Sequence, residues 1–194
     1  MQASINILNA TSLSLRDLEH IVKSVQNIFS LPVFARNERL DLENAYDPTR
    51  RQFNSTVLLA QTLLMPNPNK NKLIPIVDVD LYVPILTFVF GEAQLNGTAA
   101  VVSTHRLANV YYGIPNDYQL MLTRLEKEIV HELGHTFGLI HCHQFECVMR
   151  SSTYVEEIDY KKVNPCPACS AILKNKINLQ FNPELKDIKE DFGI

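Results

Sequence analysis

The sequence predicts an α/β layered domain. Short β-branched and aromatic runs alternate with stretches whose apolar residues recur at helical spacing, and no internal repeat or low-complexity segment interrupts them. With 194 residues, 46% hydrophobic and 20% charged, the chain is long enough to bury one core. A formal net charge of −3 and the lack of a basic-aromatic stripe argue against nucleic acid or an anionic membrane as partner. The first residues lack a basic segment followed by an apolar run, and no apolar stretch reaches about 18 residues. A cytoplasmic monomer that does not enter the membrane is expected.

Residues 4–8 read as a strand and 11–14 as a turn. Leu15, Leu18, Ile21, Val22, Val25 and Ile28 then share one helical stripe, with Ser14 and Asp17 as a cap pair. A second strand is expected at 32–35 and a polar loop at 37–47. Asp47-Pro48 has the form of a helix start, with Phe53, Val57, Leu58 and Leu64 as its buried face and Met65-Pro66 as its end. Residues 73–79 read as a central strand from their Ile and Val content, although Pro75 has no N–H to donate and argues for an edge. Asp78 and Asp80 have no third ligand nearby, so a cap or turn role is expected of them. Strands are predicted at 87–90 and 99–104, around the turn dipeptide Asn96-Gly97. After a loop at 111–116, Asn116 or Asp117 caps a helix over 121–137. Beyond it come a tight turn at Cys147-Val148-Met149, a polar and partly helical stretch at 154–162, a knuckle at 165–169 and a short helix at 171–174.

Chemistry concentrates in residues 128–142. A helix here sets His131 and His135 on one face, about 6 Å apart along the axis, where two imidazoles can pinch one zinc. Glu132 points about 100° round from His131, able to reach a zinc-bound water without becoming a ligand, and is the candidate general base. Gly138 can adopt the left-handed conformation that ends a helix, so the chain can turn back and present His141 as third ligand. Three protein ligands leave a position open, the mark of a catalytic zinc. Chance assembly of the pattern is on the order of 10⁻⁵, which disfavours an ordinary amphipathic helix with polar His and Glu.

Cys142, Cys147, Cys166 and Cys169 form a C-x4-C and a C-x2-C pair. In a reducing cytosol these read as a tetrathiolate zinc site before they read as disulfides or free thiols. His141 and Cys142 are adjacent, and successive extended residues point to opposite sides, so the chain can serve two zinc ions without sharing a ligand. His20 and His105 have no ligand-like neighbours, and His143 and Tyr154 read as solvated or packing residues.

The run His131-Glu132-x-x-His135-x-x-Gly138-x-x-His141 resembles the extended zinc motif of the metzincins, and Met149 resembles the methionine of the turn that floors their metal site. Cys142 after the third histidine, then Cys147-x-Met149 and Cys166-x-x-Cys169, is similar to the archaemetzincins in particular. Arg51-Gln52-Phe53-Asn54-Ser55-Thr56 and Phe88-Val89-Phe90-Gly91-Glu92-Ala93 also resemble stretches of that family.

The resemblance implies a twisted mixed sheet with backing helices, an active-site helix and a short zinc-stapled C-terminal part. It implies a zinc-dependent metallopeptidase that acts on a peptide or protein with two zinc ions, one catalytic and one structural. Glu132 would take the proton of the attacking water and return it to the leaving amine. An edge strand lines the cleft in metzincins and pairs with an extended substrate. That role maps onto Phe88, Val89, Phe90, Gly91 and Glu92, although a salt-bridged or solvated surface carboxylate is the better expectation for Glu92. The alternative is a zinc-stabilised module that binds a peptide or protein without cutting it, which would have no need of Glu132 as a base. One catalytic domain is expected over 1–174, its zinc-binding part at 139–174, with a C-terminal tail at 175–194.

Overall fold

The computed structural model describes residues 4–181. Its elements are β1 (Ile5–Asn9), α1 (Leu15–Phe29), β2 (Val33–Asn37), β3 (Tyr46–Asp47), β4 (Gln52–Asn54), α2 (Ser55–Leu64), β5 (Lys72–Val77), β6 (Leu81–Tyr82), β7 (Gly91–Ala93), β8 (Ala100–Ser103), α3 (Tyr118–Thr136), α4 (Val155–Asp159) and α5 (Pro167–Phe181). The main sheet is twisted and mixed, in the order β2-β1-β5-β8-β7, with β7 antiparallel to β8 and the other neighbours parallel. A small second sheet, β3-β4-β6, was not anticipated.

Strand β5 is central and buried along its whole length, which is why its sequence is apolar without alternation from Leu73 to Val77. Pro75 fits there for a local reason. The Leu73 N–H donates to Thr98 on the β8 side, and the Ile76 carbonyl accepts from Ala10 on the β1 side, so position 75 turns towards β8. The ladder is interrupted there: Leu73 makes a lone bridge to Ala99, and pairing resumes at Ile76 with Val102. Ile5, Ile7, Ile74, Ile76, Ala100 and Val102 share the larger core with α1 and α3, while Val77 and Val101 meet Leu58 of α2. The expected capping box of Ser14 and Asp17 opens α1, which buries Leu18, Ile21, Val25 and Phe29. Each such side chain contributes about 1.5–3 kcal/mol.

Three expectations need correction. Asp47 does not start a helix; its carboxylate accepts from the N–H groups of Thr49 and Arg50 in a turn, and Arg51 has φ 55°. The helix starts instead at Ser55 under an Asn54 cap, which leaves Phe53 in β4 and Leu64 85% exposed. Residues 87–90 form no strand beyond a single bridge from Val89 to Leu81, and the edge strand begins only at Gly91. The C-terminal helix is longer than 171–174, running from Pro167 to Phe181; the rest of the expected tail, from 182, lies outside the described residues. Among the described residues no helix is long and apolar enough to cross a membrane.

Lys72 ties the sheet to the end of α3. Its buried ammonium donates to the carbonyls of Gly97 (2.6 Å) and Thr136 (2.9 Å). Burial lowers this group from its ordinary 10.5 to about 8. The unfolded chain therefore holds an extra proton between about pH 8 and 10.5, so this group's contribution to stability rises with pH through that window. Lys72→Met, which strips two buried carbonyls of their donor, is expected to lose about 1–3 kcal/mol at neutral pH in urea melts. The gap from wild type should widen as pH rises from about 8 to 10.5, and a flat gap would refute the role of the buried charge.

Candidate active site

Helix α3 carries the first two candidate ligands. Asp117 caps its start by accepting from the Leu120 N–H at 2.9 Å, and Gly138, with φ 85°, turns the chain back after its end as the sequence suggests. His131 Nδ1 lies 2.8 Å from the Val148 carbonyl and His135 Nδ1 lies 2.7 Å from that of Leu139. A carbonyl can only accept, so each proton sits on Nδ1 and each Nε2 carries a lone pair. Those two Nε2 atoms face each other at 3.1 Å. Facing lone pairs repel, and a cation between them removes the conflict.

The His141 ring closes the triangle, with its centroid 5.3 Å from that of His131 and 4.9 Å from that of His135. The ligand atoms of the three lie within 4.8 Å of one another, a set that fits zinc–nitrogen bonds of about 2.0–2.1 Å. Burial lowers the pKa of all three imidazoles, which favours the neutral form a metal requires.

Glu132 is buried beside this triangle. Burial, and then the nearby Glu128 carboxylate, push its pKa well above the usual range, as suits a group that must hold a proton transiently. It reaches its place because position 91 is glycine: a Cβ there would lie 2.7 Å from Glu132 Cγ and 2.7 Å from the Val101 carbonyl. Met149 is fully buried and packs on Gly134 of α3, where a Cβ would collide with the thioether.

A cleft of about 310 Å³ opens over Glu132, with residues 86–91 on one wall and 151–153 on the other. Phe88, Val89, Phe90 and Gly91 line it as expected. Glu92 does not; its carboxylate accepts from the hydroxyls of Ser55 and Thr56, and among the described residues it has no ion-pair partner. His20 pairs with Glu126, His105 packs edge-on against Tyr111, and Tyr154 is exposed. Glu128, Ser152 and Lys161 carry no role that their sequence pattern announces. Glu128 and Ser152 line the cleft, and Lys161 pairs with Glu128 at 3.5 Å. The spacing of Glu128 to Glu132, one helical turn, was the available signal.

The four cysteines also meet. Their Sγ atoms lie within 4.8 Å of one another, with Cys142 and Cys166 at 3.8 Å, far beyond the disulfide bond length of about 2.05 Å. Cys147 Sγ accepts from the Cys166 N–H at 3.2 Å and Cys142 Sγ from the Gln144 N–H at 3.4 Å, while burial pushes the Cys147 and Cys169 thiols up. A hydrogen bond from the Cys169 N–H, the largest cause, lowers the Cys166 thiol to about 7. This donor set suits one tetrahedral zinc.

A sequence model of Peptidase family M54 matches residues 6–175. Archaemetzincin of Thermococcus kodakarensis is 42% identical over 135 residues, 68% of this chain and 72% of the relative. The crystal structure of archaemetzincin from Methanopyrus kandleri superposes with a TM-score of 0.80 at 31% identity, covering 91% of this chain and 96% of that one. The structure of a zinc-dependent peptidase from Methanocorpusculum labreanum gives a TM-score of 0.78 at 26% identity, covering 87% and 99%.

Gly91→Ala tests the close approach of β7 to Glu132. Because one obstacle is backbone, the strand must shift, and a loss of about 1–3 kcal/mol is expected in denaturant melts. An unchanged midpoint would show that the contact has slack.

Proposed function

The chain belongs to peptidase family M54, the archaemetzincins, and on that premise we propose how this zinc-dependent peptidase works: His131, His135 and His141 hold the catalytic zinc, and Glu132 is general base and acid. Two inward lone pairs 3.1 Å apart beside a buried carboxylate carry this assignment. Zinc supplies Lewis acidity when bound, polarising a carbonyl oxygen and lowering the pKa of water towards about 7. Glu132 takes the proton of the attacking water on a carboxylate oxygen and hands it to the leaving amine as the peptide bond breaks. The Val148 and Leu139 carbonyls keep His131 and His135 aimed, and Met149 packs on Gly134 between them on α3. An extended peptide lies along Phe88, Val89, Phe90 and Gly91 next to the edge strand β7, where main-chain pairing gives affinity with little demand on sequence.

Cys142, Cys147, Cys166 and Cys169 hold a second, structural zinc that pins His141 and the Met149 turn to α5. Four reduced thiols arranged for a metal support a cytoplasmic setting.

On a mixed peptide library, Glu132→Ala is expected to cleave about 10²–10⁴-fold more slowly than wild type, at equal zinc content by elemental analysis. Equal rates would remove Glu132 from the chemistry, and no cleavage by zinc-loaded wild type would favour a peptide-binding module. Cys166→Ser should lose the structural zinc and lower Tm; full zinc stoichiometry with an unchanged Tm would refute the brace.

A further inference from the structure

Among the described residues three buried polar side-chain atoms lack a hydrogen-bond partner: Glu128 Oε1, Ser152 Oγ and Lys161 Nζ. The first and third face each other, and the second shares the cleft lining with the first. Glu128, 3% exposed, and Ser152 line the cleft, and buried Lys161 stands 3.5 Å from Glu128 Oε1. An unsatisfied buried group costs about 1–3 kcal/mol, so native interiors leave few of them, yet Glu128 and Ser152 both stand on the cleft wall.

We propose that Glu128 and Ser152 form a recognition pocket for a carboxamide side chain, glutamine or asparagine, on the substrate residue flanking the scissile bond. This rests on the peptidase assignment above. Glu128 precedes Glu132 by one turn of α3, about 6 Å along the axis, which is the reach of a glutamine side chain from a backbone held at Glu132. Charge then selects the class. Lys161 already balances Glu128, so a lysine or arginine would bring an unmatched cation into a buried site. An aspartate or glutamate would face both Glu128 and Glu132. A carboxamide brings no charge; its NH2 donates to the Glu128 carboxylate and its carbonyl accepts from the Ser152 hydroxyl. An aliphatic side chain of equal length fills the space and leaves both groups unpartnered.

The test is a positional peptide library digested by the zinc-loaded protein, with cut sites read by mass spectrometry. Glutamine or asparagine at one flanking position should exceed methionine or leucine by about ten-fold or more in kcat/KM. Ser152→Ala should lower that ratio several-fold, and because its buried hydroxyl has no partner to lose, Tm should hold or rise. Glu128→Gln, which leaves Lys161 without its counter-charge, should move the preference towards glutamate or aspartate. Cleavage without a carboxamide preference, or a ratio unmoved in Ser152→Ala, overturns the pocket and leaves the peptidase assignment standing. No cleavage by wild type overturns that assignment and the pocket with it.

Discussion

The centre of the molecule depends on where two protons go. His131 and His135 each give the Nδ1 proton to a main-chain carbonyl, Val148 and Leu139, and so each turns an Nε2 lone pair inward. Both acceptors belong to chain that follows α3, so orienting the two imidazoles and routing the chain are one event. Gly138 provides the reversal, and the Cys142 N–H closes the following loop on the Met149 carbonyl at 2.9 Å. A ring rotated by a wrong tautomer would break a main-chain bond as well as a ligand, so the two sets of contacts enforce each other.

Helix α3 sustains this at some cost, for it carries charged groups through the core. Arg124 makes a two-pronged contact with Asp159 and reaches the Leu107 carbonyl, and Lys127 donates to the carbonyls of Ile158 and Asp159 at the C-terminal end of α4. Lys72 meets the C-terminal end of α3 itself, where the helix dipole favours a cation. Each of these buried cations is satisfied by oxygen. The Glu128 and Lys161 pair is the exception, having only a 3.5 Å contact, and it lies at the cleft.

The convergence of His131, His135 and His141 beside Glu132 was legible because helical periodicity and one reversing glycine fix their relative positions from local sequence alone. The capping box at Ser14 was legible for the same reason. Asp47-Pro48 misled because an aspartate that accepts two successive N–H groups has the same local signature in a turn as in a cap. Residues 87–90 misled because their aromatic content serves tertiary packing: Phe88 and Phe90 meet edge to face, and the Arg106 guanidinium lies over Phe88 while pairing with Asp80. Lys161 was invisible as a partner of Glu128, since nothing in the spacing of distant residues reports a contact made by α4 folding back on α3.

The same asymmetry explains why a cluster of four cysteines should sit directly after the third histidine. His131 and His135 are held by helical backbone and by an Nδ1 hydrogen bond each. His141 is in an exposed segment without regular structure, and among the described residues its imidazole makes ring contacts but no hydrogen bond. Of the three histidines it has the most conformational freedom to lose. Fixing its neighbour Cys142 both to Met149 through the backbone and to the cysteine cluster through sulfur removes that freedom in advance. A helix supplies two ligands at fixed spacing but cannot supply a third on the same side of one ion, so the chain must leave the helix to complete the set. The segment that leaves it is the one that needs bracing.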